Sequence, residues 1–493
     1  MTETNTSTPH PILSLPSTLR IVSLNCWGLK FISKFRHERL TEIGRQLTLS
    51  HPVPEIVGLQ ECWTQQDYLQ IRELTRHILP YGKFYWSGVF GGGLAILSKW
   101  PIEESSMYRY PLNGRPAAFW RGDWYVGKGV ACARIRIGPR EKEVVEVFCT
   151  HLHAPYEREP NDSYICHRTA QAWEIAKLMR HARERGHVVV GLGDFNMVPR
   201  SLAHQIVEGH GGGVRDVWRV LYPDSAVGSA ESEAERERGN SVPTVRECLE
   251  LHGATCDSRL NTWRWSKEEQ KALTKGRGAK VDVEAEDVKA RRLDYIFFAD
   301  NVAATGHKWE VESVEVGMTM RHPELRCSLS DHFSIETTLV RSPAPQDRRK
   351  TTEPLVRHLD PATYQLIHDM ITKYDTRERS QRRLQLIHFW ASLVVSIGCL
   401  TAVWWSPRNY VSFILMLIST LGLSSGVLDG LMGFLFVKTE LRALKEFKFD
   451  IENAADQARA LGERPATQRE VAGKMREALR EREGEPDHEV LRP

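Results

Sequence analysis

Between Leu19 and Val340 the chain alternates short, nearly uninterrupted apolar runs with longer amphipathic stretches. Apolar runs fall at Ile21–Leu24, Ile56–Leu59, Leu94–Leu97, Val144–Cys149, Val188–Val190, Leu293–Phe298 and Phe333–Val340. Runs of this length without polar alternation predict strands covered on both faces. Helical patterning occupies Arg39–Leu49, Gln65–Ile78 and His167–Arg185, and in the last Trp173, Ala176 and Met179 share one face as core. Alternating strands and helices predict a layered α/β domain. Gly228–Ser241 and Ser266–Arg292, dense in Glu, Lys, Arg and Ala, read as solvated loop insertions within it.

The pattern changes after residue 341. Phe389–Trp405 carries no formal charge and Tyr410–Val437 carries one, Asp429, with only Ser406-Pro407-Arg408-Asn409 between them. Two apolar runs near the ~20 residues that cross a bilayer, joined by a proline turn, predict a transmembrane helical hairpin. Trp404, Trp405 and Tyr410 flank the turn as headgroup-level aromatics. Gly422, Gly426 and Gly430 share a face along which the helices, or a second hairpin in a homo-oligomer, can approach closely. Basic residues crowd both outer flanks (Lys373, Arg377, Arg379, Arg382, Arg383; Lys438, Arg442, Lys445, Lys448), while the turn has only Arg408. This asymmetry predicts a multi-pass protein with both long ends in the cytosol. The expected organisation is a flexible 1–19, an α/β domain at 20–341, a juxtamembrane connector at 342–387, spans at 388–405 and 410–437, and a charged cytosolic tail at 438–493. With no apolar leader in Met1–Arg20, the endoplasmic reticulum is the expected membrane and the outer mitochondrial membrane the second choice.

Composition narrows the function. The chain has 493 residues, is 41% hydrophobic and carries a net charge of +3, which excludes disordered or collagenous chains and a broadly cationic nucleic-acid coat. No nucleic-acid partner is expected. Nine scattered cysteines without a CxxC pair read as reduced thiols.

Polar residues suited to metal and phosphate chemistry end the apolar runs: Asn25, Glu61, His151, Asp194 with Asn196, Asp294, and Asp331 with His332. A hard cation such as Mg²⁺ takes oxygen ligands and keeps some water, so one or two carboxylates suffice. Glu61 is the best candidate ligand, with Asn25 and Asp194 near it. Hydrolysis of a phosphodiester also needs a base and hydrogen-bond donors to the phosphoryl oxygens. His332 suits the first role, and Asn196 and His151 the second.

The order NCWG, LQE, THLH, GDFN, LDY, SDH resembles the magnesium-dependent endonuclease/exonuclease/phosphatase superfamily over residues 18–340. The resemblance implies a four-layered DNase I-like α/β sandwich with its site at the strand ends. It implies Glu61 as the Mg²⁺ ligand, Asn25 and Asp194 beside the metal or nucleophile, and Asn196 and His151 on the phosphate. Asp331 would orient His332, the general base, and Asp294 would complete the polar network, with His153 supporting the site residues from behind or structural. The chain departs from the inositol polyphosphate 5-phosphatases, which carry a Cys-Asp-Arg motif where Ser-Leu-Ser-Asp-His stands here.

LNCWGLK, GRPAAFWRGDWYVGKGVA (Gly114–Ala131) and HLHAPY resemble membrane-anchored neutral sphingomyelinases, including inositol phosphosphingolipid phospholipases C. This implies phospholipase C-type hydrolysis of a membrane sphingolipid to ceramide and a phosphorylated headgroup, with anionic phospholipids as activators. The alternative is another phosphodiesterase or phosphatase of the superfamily, acting on nucleic acid, lysophospholipid or soluble phosphate esters. Gly122–Lys128 has Walker A spacing, but Gly129 follows where Ser or Thr would hold Mg²⁺. In the related enzymes this stretch is P-loop-like and carries an Asp–Lys switch, which Asp123 and Lys128 match. Phe119, Trp120, Trp124 and Tyr125 give it an apolar, lipid-facing character, and Arg115, Arg121 and Lys128 are its candidate phosphate contacts.

Overall fold

The computed structural model describes residues 14–157, 161–278, 280–343 and 356–462. The expectations for residues 1–13, for the start of the connector at 344–355 and for the tail beyond 462 lie outside the described residues. Twelve strands follow in chain order among the described residues. They are β1 (Thr18–Asn25), β2 (Ile56–Gln60), β3 (Tyr81–Tyr85), β4 (Leu94–Ser98), β5 (Ile102–Arg109) and β6 (Gly129–Arg136). The rest are β7 (Val144–His151), β8 (Val188–Asp194), β9 (Arg215–Asp216), β10 (Asp294–Ala299), β11 (His307–Gly317) and β12 (Ser334–Pro343).

They form two six-stranded sheets, ordered β11-β12-β1-β2-β4-β3 and β5-β6-β7-β8-β10-β9. Side-chain alternation divides each central strand between two cores. Leu19 and Ile21 of β1 point to the inter-sheet core with Ile96, Val147, Val190, Leu192 and Ile335. Val22 and Leu24 point outward to Leu40, Ile43 and Leu47 of helix α1 (Arg36–Leu49) and to Ile71 of α2 (Gln65–Thr75). The second sheet is covered by α3 (Ile165–Glu184), through Trp173, Ala176 and Met179. Helices, sheet, sheet, helices: the four-layered DNase I-like sandwich is present.

The C-terminal region forms α4 (Pro361–Ala402), a short turn, α5 (Asn409–Leu431) and α6 (Val437–Gly462), with one π-helical turn, Met432–Phe436, between the last two. Two of these helical runs are long and apolar enough to cross a membrane. Val394, Phe413 and Leu421 lie exposed, unlike side chains of a soluble core helix. The glycine face serves the hairpin itself. A Cβ on Gly426 would collide with Ser392, one on Gly430 with Phe389 and one on Gly433 with Leu386, whereas Gly422 faces open space.

Two expectations change. Residues 361–387, expected as part of a juxtamembrane connector, form the first half of α4, which lies with α6 as a further layer on α3. Ile367, Ile371, Leu444 and Ile451 are fully buried there. At about 1.5–3 kcal/mol per buried side chain of this kind, the hairpin base is fixed to the domain rather than tethered. The charge-rich insertions, expected as solvated loops, carry short helices. Ser266 and Glu269 form a capping box on Lys267–Thr274, and the buried Glu235 accepts from the Val227 amide at 2.8 Å.

Candidate active site

Strand register assembles the site. Parallel pairing sets His151 at the end of β7 beside Asp194 at the end of β8, and antiparallel pairing sets Asp294 at the start of β10 opposite Asp194. Asn25 ends β1 beside Gln60, so Glu61 is the first residue beyond β2. Sheet order thus gathers at one pole residues separated by hundreds of positions.

Asn25 joins the two sheets: its Nδ2 donates to Glu61 Oε1 at 3.1 Å and to Asp194 Oδ2 at 3.0 Å. Asp194 Oδ2 also lies 3.5 Å from His151 Nε2 and 3.9 Å from His332 Nε2. The Asn196 amide N–H donates to Asp194 Oδ1 at 2.9 Å, and its side chain to the Leu152 carbonyl at 3.1 Å. Trp27, Glu61 and Asn196 hold left-handed φ values of 48°, 53° and 46°. Such conformations in residues other than glycine are costly and collect at functional sites.

The carboxylate that orients His332 is Asp294, not Asp331. His332 Nδ1 lies 2.8 Å from Asp294 Oδ2, which also accepts from Thr255 Oγ1 at 2.5 Å. Asp331 lies in the bend before β12, with its Oδ1 3.4 Å from Ser330 Oγ. Its negative charge acts instead on Glu61. Two hydroxyls, Thr255 and Ser330, complete this network. Ser330 Oγ donates to the Asn25 carbonyl at 2.6 Å and accepts from the His332 amide at 3.2 Å, and no sequence signal separates either hydroxyl from ordinary loop residues.

Electrostatics mark the pole as short of positive charge. Burial raises the Glu61 pKa, and the Asp331 charge raises it further against Asn25, His332 and Lys128. Burial also raises Asp194, and Asp294 adds to that. Burial works against the His332 imidazolium, yet Cys256, Asp294 and Asp194 outweigh it and hold its pKa well above the ordinary value. Burial, then Lys128, His332 and His153, keep His151 neutral. Glu61 Oε2 and Asp294 Oδ1 are buried without a hydrogen-bond partner. Asp194, Asp294 and His332 present ligand atoms within 4.8 Å of one another. Unpartnered oxygens among crowded carboxylates suit a hard cation, so the residues present fit a metal site.

Asp123 and Lys128 are buried beside this pole but are not directly paired. Asp123 accepts from Tyr156 Oη at 2.8 Å and lies 3.3 Å from His153 Nδ1. Burial opposes its charge, but the His153 contact first, then Lys128 and Tyr156, hold its pKa down to about 2. Lys128 Nζ donates to the Leu152 carbonyl at 3.0 Å, the same oxygen that Asn196 engages. Arg115 and Arg121 are engaged elsewhere, with Glu378 at 3.4 Å and Glu157 at 2.6 Å.

Comparison with known proteins agrees with this geometry. Residues 22–332 match the Endonuclease/Exonuclease/phosphatase family. The inositol phosphosphingolipids phospholipase C of Schizosaccharomyces pombe is 39% identical over 437 residues, covering 88% of this chain and 93% of that protein. The protein of the same name from Saccharomyces cerevisiae is 31% identical, covering 89% and 90%. Human sphingomyelin phosphodiesterase 2 is 28% identical, covering 80% and 76%. With its strand-end site and a match across most of the α/β domain, the chain belongs to the endonuclease/exonuclease/phosphatase family.

Proposed function

We propose that this protein is a phosphoric diester hydrolase that cleaves sphingolipid headgroups in the phospholipase C manner, with Mg²⁺ as its metal. The observation that carries the reading is the His332–Asp294 pair facing Asp194, with an unpartnered Glu61 oxygen at the same pole. The substrate class rests on relatives named as inositol phosphosphingolipid phospholipases C and sphingomyelin phosphodiesterases, which match along 80% or more of the chain.

The chemistry is attack of water on the phosphorus with rupture of the phosphorus–oxygen bond to ceramide. The products are ceramide and the phosphorylated headgroup. In its neutral form His332 donates its Nδ1 proton to Asp294 and takes a proton from the attacking water at Nε2, a step that its raised pKa favours once the imidazole is deprotonated, and the departing ceramide oxygen takes up a proton in turn. Asp194, within 4 Å of Nε2, stabilises the imidazolium that forms. Asn196 and the neutral His151 donate to phosphoryl oxygens as charge develops on them. Glu61, with Asn25, Asp194 and Asp331 around it, would hold Mg²⁺, which supplies charge neutralisation and Lewis-acid assistance when bound. Asp123 and Lys128 form the switch. Lys128 shares the Leu152 carbonyl with Asn196, so a shift of the Asp123 loop is felt where the phosphate binds.

The hairpin anchors the domain to its substrate's membrane with both long ends in the cytosol, a reading supported by the basic residues on its outer flanks. Those residues favour an anionic leaflet, consistent with activation by anionic phospholipid. The test is headgroup release from liposomes of sphingomyelin or inositol phosphosphingolipid, with and without Mg²⁺ and phosphatidylserine. Mg²⁺-dependent release from either lipid supports the assignment. Release from neither, with turnover of DNA or a soluble phosphate ester, overturns it.

A further inference from the structure

Two loops at the catalytic pole carry large apolar side chains into solvent. In the first, Trp86, Val89 (76% exposed) and Phe90 project. In the second, Phe119 and Trp120 do, the latter 82% exposed. The loops form one body: the amide groups of Val89 and Phe90 donate to the Tyr125 carbonyl at 2.8 and 3.2 Å, and Ser87 Oγ donates to the Gly127 carbonyl at 2.5 Å. The Tyr125 ring lies 5.9 Å from Phe119 and 6.2 Å from Phe90. Gly88 and Gly127, with φ of 45° and 69°, allow the close approach, since a Cβ on either would meet the other loop's backbone.

This body is continuous with the hairpin. Trp124, which packs edge-on against Tyr125, sits 4.9 Å from Phe436 at the end of the second apolar run. The neighbouring Leu435 and Phe434 are themselves exposed. From Asn409 to Phe436 the helical run rises about 40 Å at 1.5 Å per residue. The hydrocarbon core is ~30 Å thick, so Phe436 and the aromatic body touching it fall at headgroup level.

We propose that the Trp86–Phe90 and Phe119–Trp120 loops are a second membrane contact. They insert apolar side chains into the leaflet that holds the hairpin and set the catalytic pole against it. The proposal rests on the reading of residues 388–437 as a membrane-spanning hairpin. Lipid is the occupant because the exposed aromatics extend the hairpin's own apolar surface at the depth where such rings settle. The placement suits the chemistry. β4 begins beside the end of β2 and β6 beside the end of β7, so both loops leave from the pole that bears Glu61 and His151. The Cys62 amide donates to the Gly93 carbonyl at 3.0 Å, tying the first loop to the residue after Glu61.

The test is depth-resolved quenching on the full-length protein in phosphatidylcholine–phosphatidylserine vesicles. An environment-sensitive fluorophore is placed at Trp120→Cys, at Phe90→Cys, at Val220→Cys beyond the opposite sheet edge, and at Val394→Cys within the hairpin. The signal of the labelled parent protein is subtracted. The proposal predicts blue-shifted emission, quenching by nitroxide-bearing lipids and loss of iodide quenching at 120 and 90, with the reverse at 220. Iodide quenching at 120 and 90 equal to that at 220, while 394 is quenched by lipid, overturns the second contact and leaves the anchor standing. Iodide quenching at 394 overturns the hairpin reading, and the second contact with it.

Discussion

Two buried polar clusters of this protein use similar residues to opposite ends. At the strand-end pole, Glu61, Asp194, Asp294 and His332 crowd together around unpartnered oxygens, and backbone strain sits at Glu61 and Asn196. Under the hairpin base, Glu440 of α6 lies 3.0 Å from His167 Nε2 of α3 and accepts from Tyr374 of α4, on unstrained helices. There, burial raises Glu440 to about 7 against Tyr374 and the arginines Arg115 and Arg377. Burial lowers His167 to about 3. Below pH 7 the contact is therefore a hydrogen bond between neutral groups, not an ion pair. Burial disfavours carboxylate charge in both clusters; the difference is that the pole leaves oxygens unpartnered, where a cation can join them, while Oε1 of Glu440 is met by both His167 and Tyr374.

The largest expected effect breaks the first cluster. His332→Ala should lower headgroup release by about 10²–10⁴-fold, while the melting temperature stays near that of the parent. Glu61→Gln comes next. It should cost less turnover than the loss of His332 and abolish the rise in melting temperature that added Mg²⁺ gives the parent, because a ligand stabilises only the state that binds it. Differential scanning fluorimetry with and without Mg²⁺ checks this.

Ile371→Ala acts on the second cluster. It should cost the docked base about 2–5 kcal/mol. Faster amide exchange in α3 and α6 would report the loss, with a smaller change in release from detergent-dispersed lipid. The smallest effect is Glu440→Gln. A carboxyl raised to about 7 in the folded state, above its ordinary value of 4.5, binds more protons folded than unfolded. Its contribution is full below about pH 4.5 and lost as the pH rises through 7. Glu378 on α4 is likewise raised to about 7, by burial and then by Glu440. Glu440→Gln should therefore flatten the fall in melting temperature between pH 4.5 and 7, leaving a residual slope from Glu378.

What the sequence revealed follows from what dominates each region. The apolar runs of β1, β2, β4, β7, β8, β10 and β12 were legible because both faces of those strands are covered. The edge strands β5 and β11, half exposed with alternating charges, carry no such run. The polar residues at run ends were legible as candidates, and every one of Asn25, Glu61, His151, Asp194, Asn196, Asp294 and His332 reaches the same pole. The partner of His332 was not, because adjacency in the chain suggested Asp331 while Asp294 reaches it from the facing sheet. The docked base was hidden differently. Tyr364, Ile367, Ile371 and Tyr374 recur at helical spacing, but Lys373, Arg377 and Arg379 among them gave the stretch the look of a solvated connector.

The central claim is that His332 and Asp294 act as one unit in hydrolysing a sphingolipid phosphodiester. A double-mutant cycle on headgroup release from proteoliposomes tests it most directly, with parent, Asp294→Asn, His332→Ala and the double variant compared. The account predicts a large loss in each single variant and a double variant no slower than His332→Ala. Near-parental release by Asp294→Asn, or losses that multiply in the double variant, would contradict it.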